Sequence, residues 1–433
     1  MSCDEERMSV DEIVEAISSE DDHLQLLGTE SARKMVIGES TASIDLLIGH
    51  DMVPTFVGFL QKNEHPMLQF EAAWVLVNIA SGTSDQTRCV IENNAVPHLA
   101  KLLQSGFIDL ADQAVCALAN IASDGAASRD IIIQHNVIEN IMPLTNRRSP
   151  ITILRSIAWL MSNLCSHQNP PPPLDEVKTF VPVLSKLMLS HDAQVLTEAC
   201  CTLYCILERD HSMIQVLIDL GSVPHLAQLI QKFEPSIVTP ALRIVGIIVA
   251  ASDEQTEVVI ASGALPWIRI LLYHYKAEIV EDAAAVINTI TARSQQRIQA
   301  AIQAEVFDGV REVLKKGNLR AKEQAAWAVT NAMSFGTPEQ IIEQLIDRFM
   351  ILKPYLNLLS ADDTGILKAV LTGLCNLFVL IEKLGLTESF SEVVIEMGGL
   401  DKLESLLMHD SMVVYKKAKT IIYDYIIIPT ATF

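Results

Sequence analysis

The sequence predicts an all-α chain, a right-handed superhelical solenoid of about ten repeats, from three observations. Residues 69–83 carry apolar side chains at three- and four-residue intervals and end in Ser81-Gly82, the pattern of a helix and its stop. Within that helix Trp74 and Asn78 stand four apart and share a face, and the pair recurs as Trp159/Asn163 and Trp327/Asn331. Degraded copies lie between: Cys116/Asn120, Cys201/Cys205, Arg243/Ile247 and Ala284/Asn288. The lead positions are separated by 42, 43, 42, 42, 41 and 43 residues, a period of repeat arrays whose units bury their apolar faces only against neighbours. Finally, 50% of residues are hydrophobic but 5% aromatic, a core of Leu, Ile, Val and Ala that suits stacked helices.

In chain order, residues 1–10 are read as a flexible acidic N-terminus, 11–428 as the repeat array and 429–433 as a short tail. The first unit opens at Ser9–Ile17, and its long helix centres on Ala32, 42 before Trp74. Later units repeat a second line: Met52-Val53-Pro54, Ala95-Val96-Pro97, Val223-Pro224 and Leu265-Pro266. Proline suits a first helical turn, where no backbone N–H is needed, and Gly221 and Gly263 just before it predict a left-handed residue. Each unit is thus a short helix, a Pro-started helix, a polar loop and a long helix, which favours armadillo over two-helix HEAT repeats. After Trp327 the frame continues with Leu371 and Cys375 and a last copy near Tyr415–Tyr425. Four prolines at 170–173 predict an extended local connector, and the period passes through it.

Composition narrows the function. With 53 acidic against 32 basic residues the net charge is −21, which opposes direct nucleic-acid binding, since phosphate recognition needs a basic footprint. The acidic start lacks a signal-peptide pattern, and apolar stretches such as 244–251 are too short for a bilayer, so no membrane role is expected. The cysteines read as small buried hydrophobes in a reducing compartment, and Cys200, Cys201 and Cys205 lack zinc spacing. His98 and His225 recur one residue after the helix-starting proline and read as solvent-facing, not metal-binding. No phosphate loop, nucleophile elbow or metal motif occurs, so neither an enzyme nor a cofactor is expected.

The Trp/Asn row has a chemistry of its own. A lone Trp on an amphipathic helix is usually core, but three copies in one phase, each with an asparagine costly to bury, read as a surface ladder. Amides offer a donor and an acceptor to an extended peptide backbone, and indoles flank the methylenes of basic side chains with cation–π support. Asp124 is placed to take an ammonium, with Thr87 and the Gly82 carbonyl across from it.

Residues 71–87, 121–130, 159–173 and 396–404 carry a resemblance: the chain, over roughly residues 10–428, is similar to importin α (karyopherin α), the armadillo adaptor that binds nuclear localisation signals. The resemblance implies a nuclear import receptor shuttling between cytoplasm and nucleus, with basic cargo signals as ligands. It implies a major peptide site at Trp74, Asn78, Gly82, Thr87, Gln113, Cys116, Asn120, Asp124, Trp159, Asn163 and Glu198. Cys116 stands where the family has a second Trp, and Glu198 replaces an Asp; losing one indole wall costs about 1–2 kcal/mol. A minor site keeps Arg243, Asn288, Trp327 and Asn331 but has Ala284 and Cys205 for aromatics, Ile247 for an Asn and Gln324 for an acid. The family's basic importin-β-binding segment is not found in residues 1–10, which puts importin β in doubt as partner. The last repeat resembles the region that meets a nuclear export receptor. The alternative is an armadillo scaffold or cargo-sequestering protein that no longer works with importin β. A catenin-like scaffold would instead predict a row of Lys and Arg.

Overall fold

A computed structural model describes residues 8–37, 41–167, 169–292 and 294–427, and all regular structure in them is helical. Residues 1–7 and the tail 429–433 lie outside the described residues, while Ser9 already caps the first helix, Val10–Ser18, in a reciprocal box with Glu12.

The helices gather into two compact units, Met1–Leu220 and Gly221–Phe433. The long helix of each repeat is numbered α1 to α10. The first unit holds α1 (Asp22–Val36), α2 (Pro66–Ala80), α3 (Ile108–Ser123), α4 (Ile151–Ser166) and α5 (Ala193–Arg209). The second holds α6 (Pro235–Ala251), α7 (Ala277–Thr291), α8 (Leu319–Phe335), α9 (Thr364–Lys383) and α10 (Met412–Thr420). Within each unit every long helix packs on the next, and small residues allow the close approach: Ala72 and Ala73 in α2, Ala114, Ala117 and Ala119 in α3, Ala325, Ala326 and Ala328 in α8 are all fully buried. The helices start where the sequence supplies a cap. Pro66 opens α2, while Asp192, Asn318 and Asp363 accept the Val195, Ala321 and Ile366 N–H groups at α5, α8 and α9.

The predicted left-handed positions are present, with φ of 68° at Gly221 and 77° at Gly263, and the same place before the second helix is taken by Asp51, Asn94, Asn136, Glu305, Met350 and Gly398 in other repeats. The three-helix plan is not followed between α4 and α5. Pro170–Pro173 stand where a short first helix is expected, and Leu174–Leu187 follows directly as the second. That connector is held by arginines from both sides: the buried Arg129 donates to the His167 and Pro170 carbonyls (2.5 and 3.0 Å), and Arg209 donates to the Pro172 carbonyl (2.9 Å). Helix α9 corrects the expectation about apolar stretches. Its 20 residues are long and apolar enough to cross a membrane, yet 56% of that stretch is buried, and it packs between α8 and α10.

Candidate functional site

Exposure alternates along the long helices so that one stripe of each stays outside the core. On α2 to α5 that stripe carries Trp74, Asn78, Gln113, Cys116, Asn120, Trp159, Asn163 and Glu198, each half-buried except Trp159, which is 36% exposed. Phe70 meets Trp74 edge-on at 5.6 Å, and the Arg33 guanidinium of α1 lies 4.3 Å over the Trp74 ring while pairing with Glu71.

The asparagines do more than face outward. Asn120 Nδ2 donates to the Val77 carbonyl and Asn163 Nδ2 to the Ala119 carbonyl, both at 2.9 Å, so each ties its repeat to the preceding one. Asn78 Nδ2 instead donates to Trp74 within its own helix (2.8 Å). Among the described residues the second N–H and the Oδ1 of each amide have no protein partner, which leaves a donor and an acceptor per rung.

Gly82 has a local cause. Gln86 reaches back to the Thr83 N–H (2.9 Å), and a Cβ on Gly82 would stand 1.9 Å from its Oε1. Thr87 is 2% exposed and its hydroxyl donates to the Ala80 carbonyl (3.1 Å), so it braces the end of α2 from below the surface. Asp124 caps the C-terminus of α3, half-buried, with one oxygen accepting from the Ser128 hydroxyl (3.1 Å).

Two neighbours of this stripe escape a sequence reading. Asp112, four residues before Cys116, has a buried Oδ1 with no partner among the described residues; burial raises its pKa, against the Ser156 hydroxyl that lowers it, and Asp109 adds to the rise. The Cys116 thiol donates to the same Ser156 hydroxyl at 3.4 Å. Arg33, the other, lies in a different repeat from the indole it covers. The cations of this face are spoken for: Arg33 by Glu71, and Arg155 by Asp192 at 3.1 and 2.6 Å, a pairing that holds the Asp192 carboxyl below its ordinary range. Asp124 and Glu198 are half-buried carboxylates on this face without a cationic partner among the described residues.

In the second unit the expected residues are placed differently. Ala284 is fully buried and Ala285 half-exposed, so Ala285 and Thr289, not Ala284 and Asn288, occupy the ladder positions. The hydrogen bonds agree: Asn331 Nδ2 donates to the Asn288 carbonyl (3.0 Å), as Asn120 does to Val77 one residue before Asn78. The physical reason is phase, since one residue turns a helix by 100° and carries the side chain from stripe to core. The signal was present as the compensating 41 and 43 spacings, which become 42 and 42 when Ala285 leads. Repeat nine slips likewise: Leu371 is fully buried, and Asn376 makes the tie, donating to Ser334 Oγ at 2.6 Å. Asn288 and Asn331 engage each other (2.8 Å), Asn288 donates to Gln324 (2.9 Å), and Arg243 donates to Asp282 (3.0 Å), a carboxyl whose pKa burial raises. Trp327 is half-buried.

The cysteine expectation holds in part. Cys165 and Cys200 are buried, with thiol pKa values pushed up to about 12 by burial, but Cys201 and Cys205 are exposed, because position and not residue type sets which stripe faces out. His98 is half-buried, and burial lowers its pKa. No metal-binding cluster of His, Cys, Asp or Glu occurs among the described residues.

The armadillo/beta-catenin-like repeat model matches residues 40–81 and 83–123, and an atypical Arm repeat matches 388–426. The chain is 38% identical over 425 residues to importin subunit alpha-5 of Arabidopsis thaliana, covering 97% of this chain and 81% of that protein. It is 39% identical over 212 residues to importin subunit alpha-1b of Oryza sativa subsp. japonica, an alignment spanning 49% of this chain and 40% of the rice protein. Importin subunit alpha-2 of Arabidopsis thaliana is 39% identical over 216 residues, again 40% of its length. An engineered protein of known crystal structure superposes with a TM-score of 0.69 over 95% of this chain and 98% of its own, at 24% identity, which speaks to the fold alone.

Proposed function

Because the chain belongs to the importin α family, we propose that it is a nuclear import adaptor, a receptor that holds one basic cluster of a nuclear localisation signal extended along α2 to α5. The observation that carries this is the row of unspent amide groups on Asn78, Asn120 and Asn163 between Trp74 and Trp159, beside the carboxylates of Asp112, Asp124 and Glu198. In this reading the amides take the peptide backbone in both directions, the indoles flank lysine stems, and Asp124 takes the central ammonium with the Gly82 carbonyl. Thr87 forms the floor beneath them. The second unit is the weaker site, since Arg243, Asn288 and Asn331 are already engaged and Ala285 offers no indole beside Trp327. Nuclear cargo proteins are the partners, and shuttling between cytoplasm and nucleus is the corresponding localisation.

Fluorescence anisotropy of a labelled lysine-rich single-cluster signal peptide tests this. Saturable binding lost in Asp124→Lys, with helical circular dichroism unchanged, is the expected result. No binding by the parent chain would favour the second reading, a scaffold or cargo-sequestering protein, for which Cys116, Cys205 and Ala285 in place of ladder aromatics speak.

A further inference from the structure

In the first unit a pocket of about 260 Å³ opens between the loop after Met142–Leu144, the start of α4 and the end of the helix Leu174–Leu187. Its apolar lining includes Leu154, Leu187 and Leu189, and the exposed Ile151 lies one turn from Leu154 on α4. The volume is below the roughly 300–1,000 Å³ of small-molecule sites, so it suits one large side chain of a partner rather than a cofactor. Arg147 and Lys186 stand at the pocket, and Arg148 is next in the chain. Among the described residues none of these three cations has an ion-pair partner, although the chain carries a charge of −21. Asp192, two residues past Ser190 at the pocket, is already taken by Arg155.

A comparable pocket in the second unit shows what a self-satisfied version looks like. There, about 240 Å³ is lined by Leu272, Val280 and Val313, but Glu312 stands among them and pairs with Lys315 and Lys316 at 2.9 and 3.2 Å. The basic pocket lacks that acid. Lys186 Nζ donates to the Met142 carbonyl at 3.4 Å, and apolar depth beside two cations without a carboxylate partner is the complement of an apolar side chain flanked by carboxylates.

We propose that this pocket is a docking site for an acidic segment of a partner protein that inserts one apolar side chain against Leu154 and Leu187. Its charge is opposite to that of the carboxylates that would take basic signals. The site discriminates by sign: Arg147 and Lys186 repel basic signals, and Asp124 and Glu198 repel acidic segments.

The test is anisotropy of a fluorescein-labelled peptide, Glu-Asp-Glu-Leu-Phe-Asp-Glu, with the full chain. Saturable, salt-weakened binding is expected, reduced at least about tenfold by Arg147→Glu combined with Lys186→Glu, and reduced similarly when Leu-Phe becomes Gly-Gly. The double variant is expected to keep its helical circular dichroism and its affinity for a lysine-rich peptide, while Asp124→Lys keeps the acidic-peptide affinity. Absence of saturable binding, indifference to the charge reversal, or equal binding of the Gly-Gly peptide overturns the proposal. A concentration-dependent dimer lost in the same double variant also overturns it, and assigns the pocket to a second copy of the chain.

Discussion

The Arg33 guanidinium lies 4.3 Å over the ring of Trp74, so one face of the first indole is filled by the protein's own cation. The arrangement is held from below by Glu71, whose side chain is 6% exposed while that of Arg33 is 16% exposed. A pair this buried is fragile to losing one partner, because the remaining charge stays desolvated. Arg33→Ala is therefore expected to cost about 3 kcal/mol in urea unfolding. Arg33→Met with Glu71→Gln is expected to recover most of it; equal losses in both variants would mean the pair is not coupled.

Restoring an indole at position 116 is expected to tighten binding of a lysine-rich signal peptide about tenfold, since an added cation–π wall of roughly 1–2 kcal/mol spans that factor. The side chain stands on the exposed stripe with its thiol on Ser156, so Cys116→Trp projects outward. Unchanged affinity in the anisotropy titration would place position 116 outside the peptide's path.

Asn120→Ala is expected to lower stability by about 1 kcal/mol even without peptide, because the Val77 carbonyl loses its inter-repeat donor. Asn78→Ala is expected to cost less, since its bond stays within one helix. Urea midpoints of the two variants check the order. A loss of peptide affinity in Asn120→Ala has to be compared with this structural cost before it is ascribed to a peptide contact.

Asp112 sets a pH dependence. Burial raises its carboxyl pKa above the ordinary 3.8, so the native state holds its proton more tightly than the unfolded chain and loses stability as pH rises through that window. Asp112→Asn removes the cost of the buried charge while keeping the shape beside Ser156. The variant is expected to unfold at higher urea than the parent at pH 7.5, with the advantage shrinking as pH falls toward 3.8. A difference that stays constant from pH 7.5 down to pH 3 would exclude titration of Asp112 as its source.

The all-α repeat architecture, the long helices and the residues of the first unit's ladder were legible in the chain, because apolar periodicity, caps and a 42-residue recurrence are local properties of sequence. Gly221 and Gly263 are of the same kind: their backbone conformation follows from the residue and its neighbours. The helix plan around Pro170–Pro173 was less legible, since prolines declare an extended segment but not which element it displaces.

What only the tertiary structure decided is which side of each helix meets its neighbour. Ala284 and Ala285 are chemically identical, and only packing of α7 against α6 and α8 buries the first and leaves the second at the ladder position. The partner of Trp74 was equally hidden. Arg33 reaches Glu71 across 38 residues of chain, and no local pattern announces a contact made between repeats. Sequence by itself determined the repeat, because helices and turns are written in short-range chemistry; the tertiary structure decided the phase and the pairings, because burial is a property of neighbours.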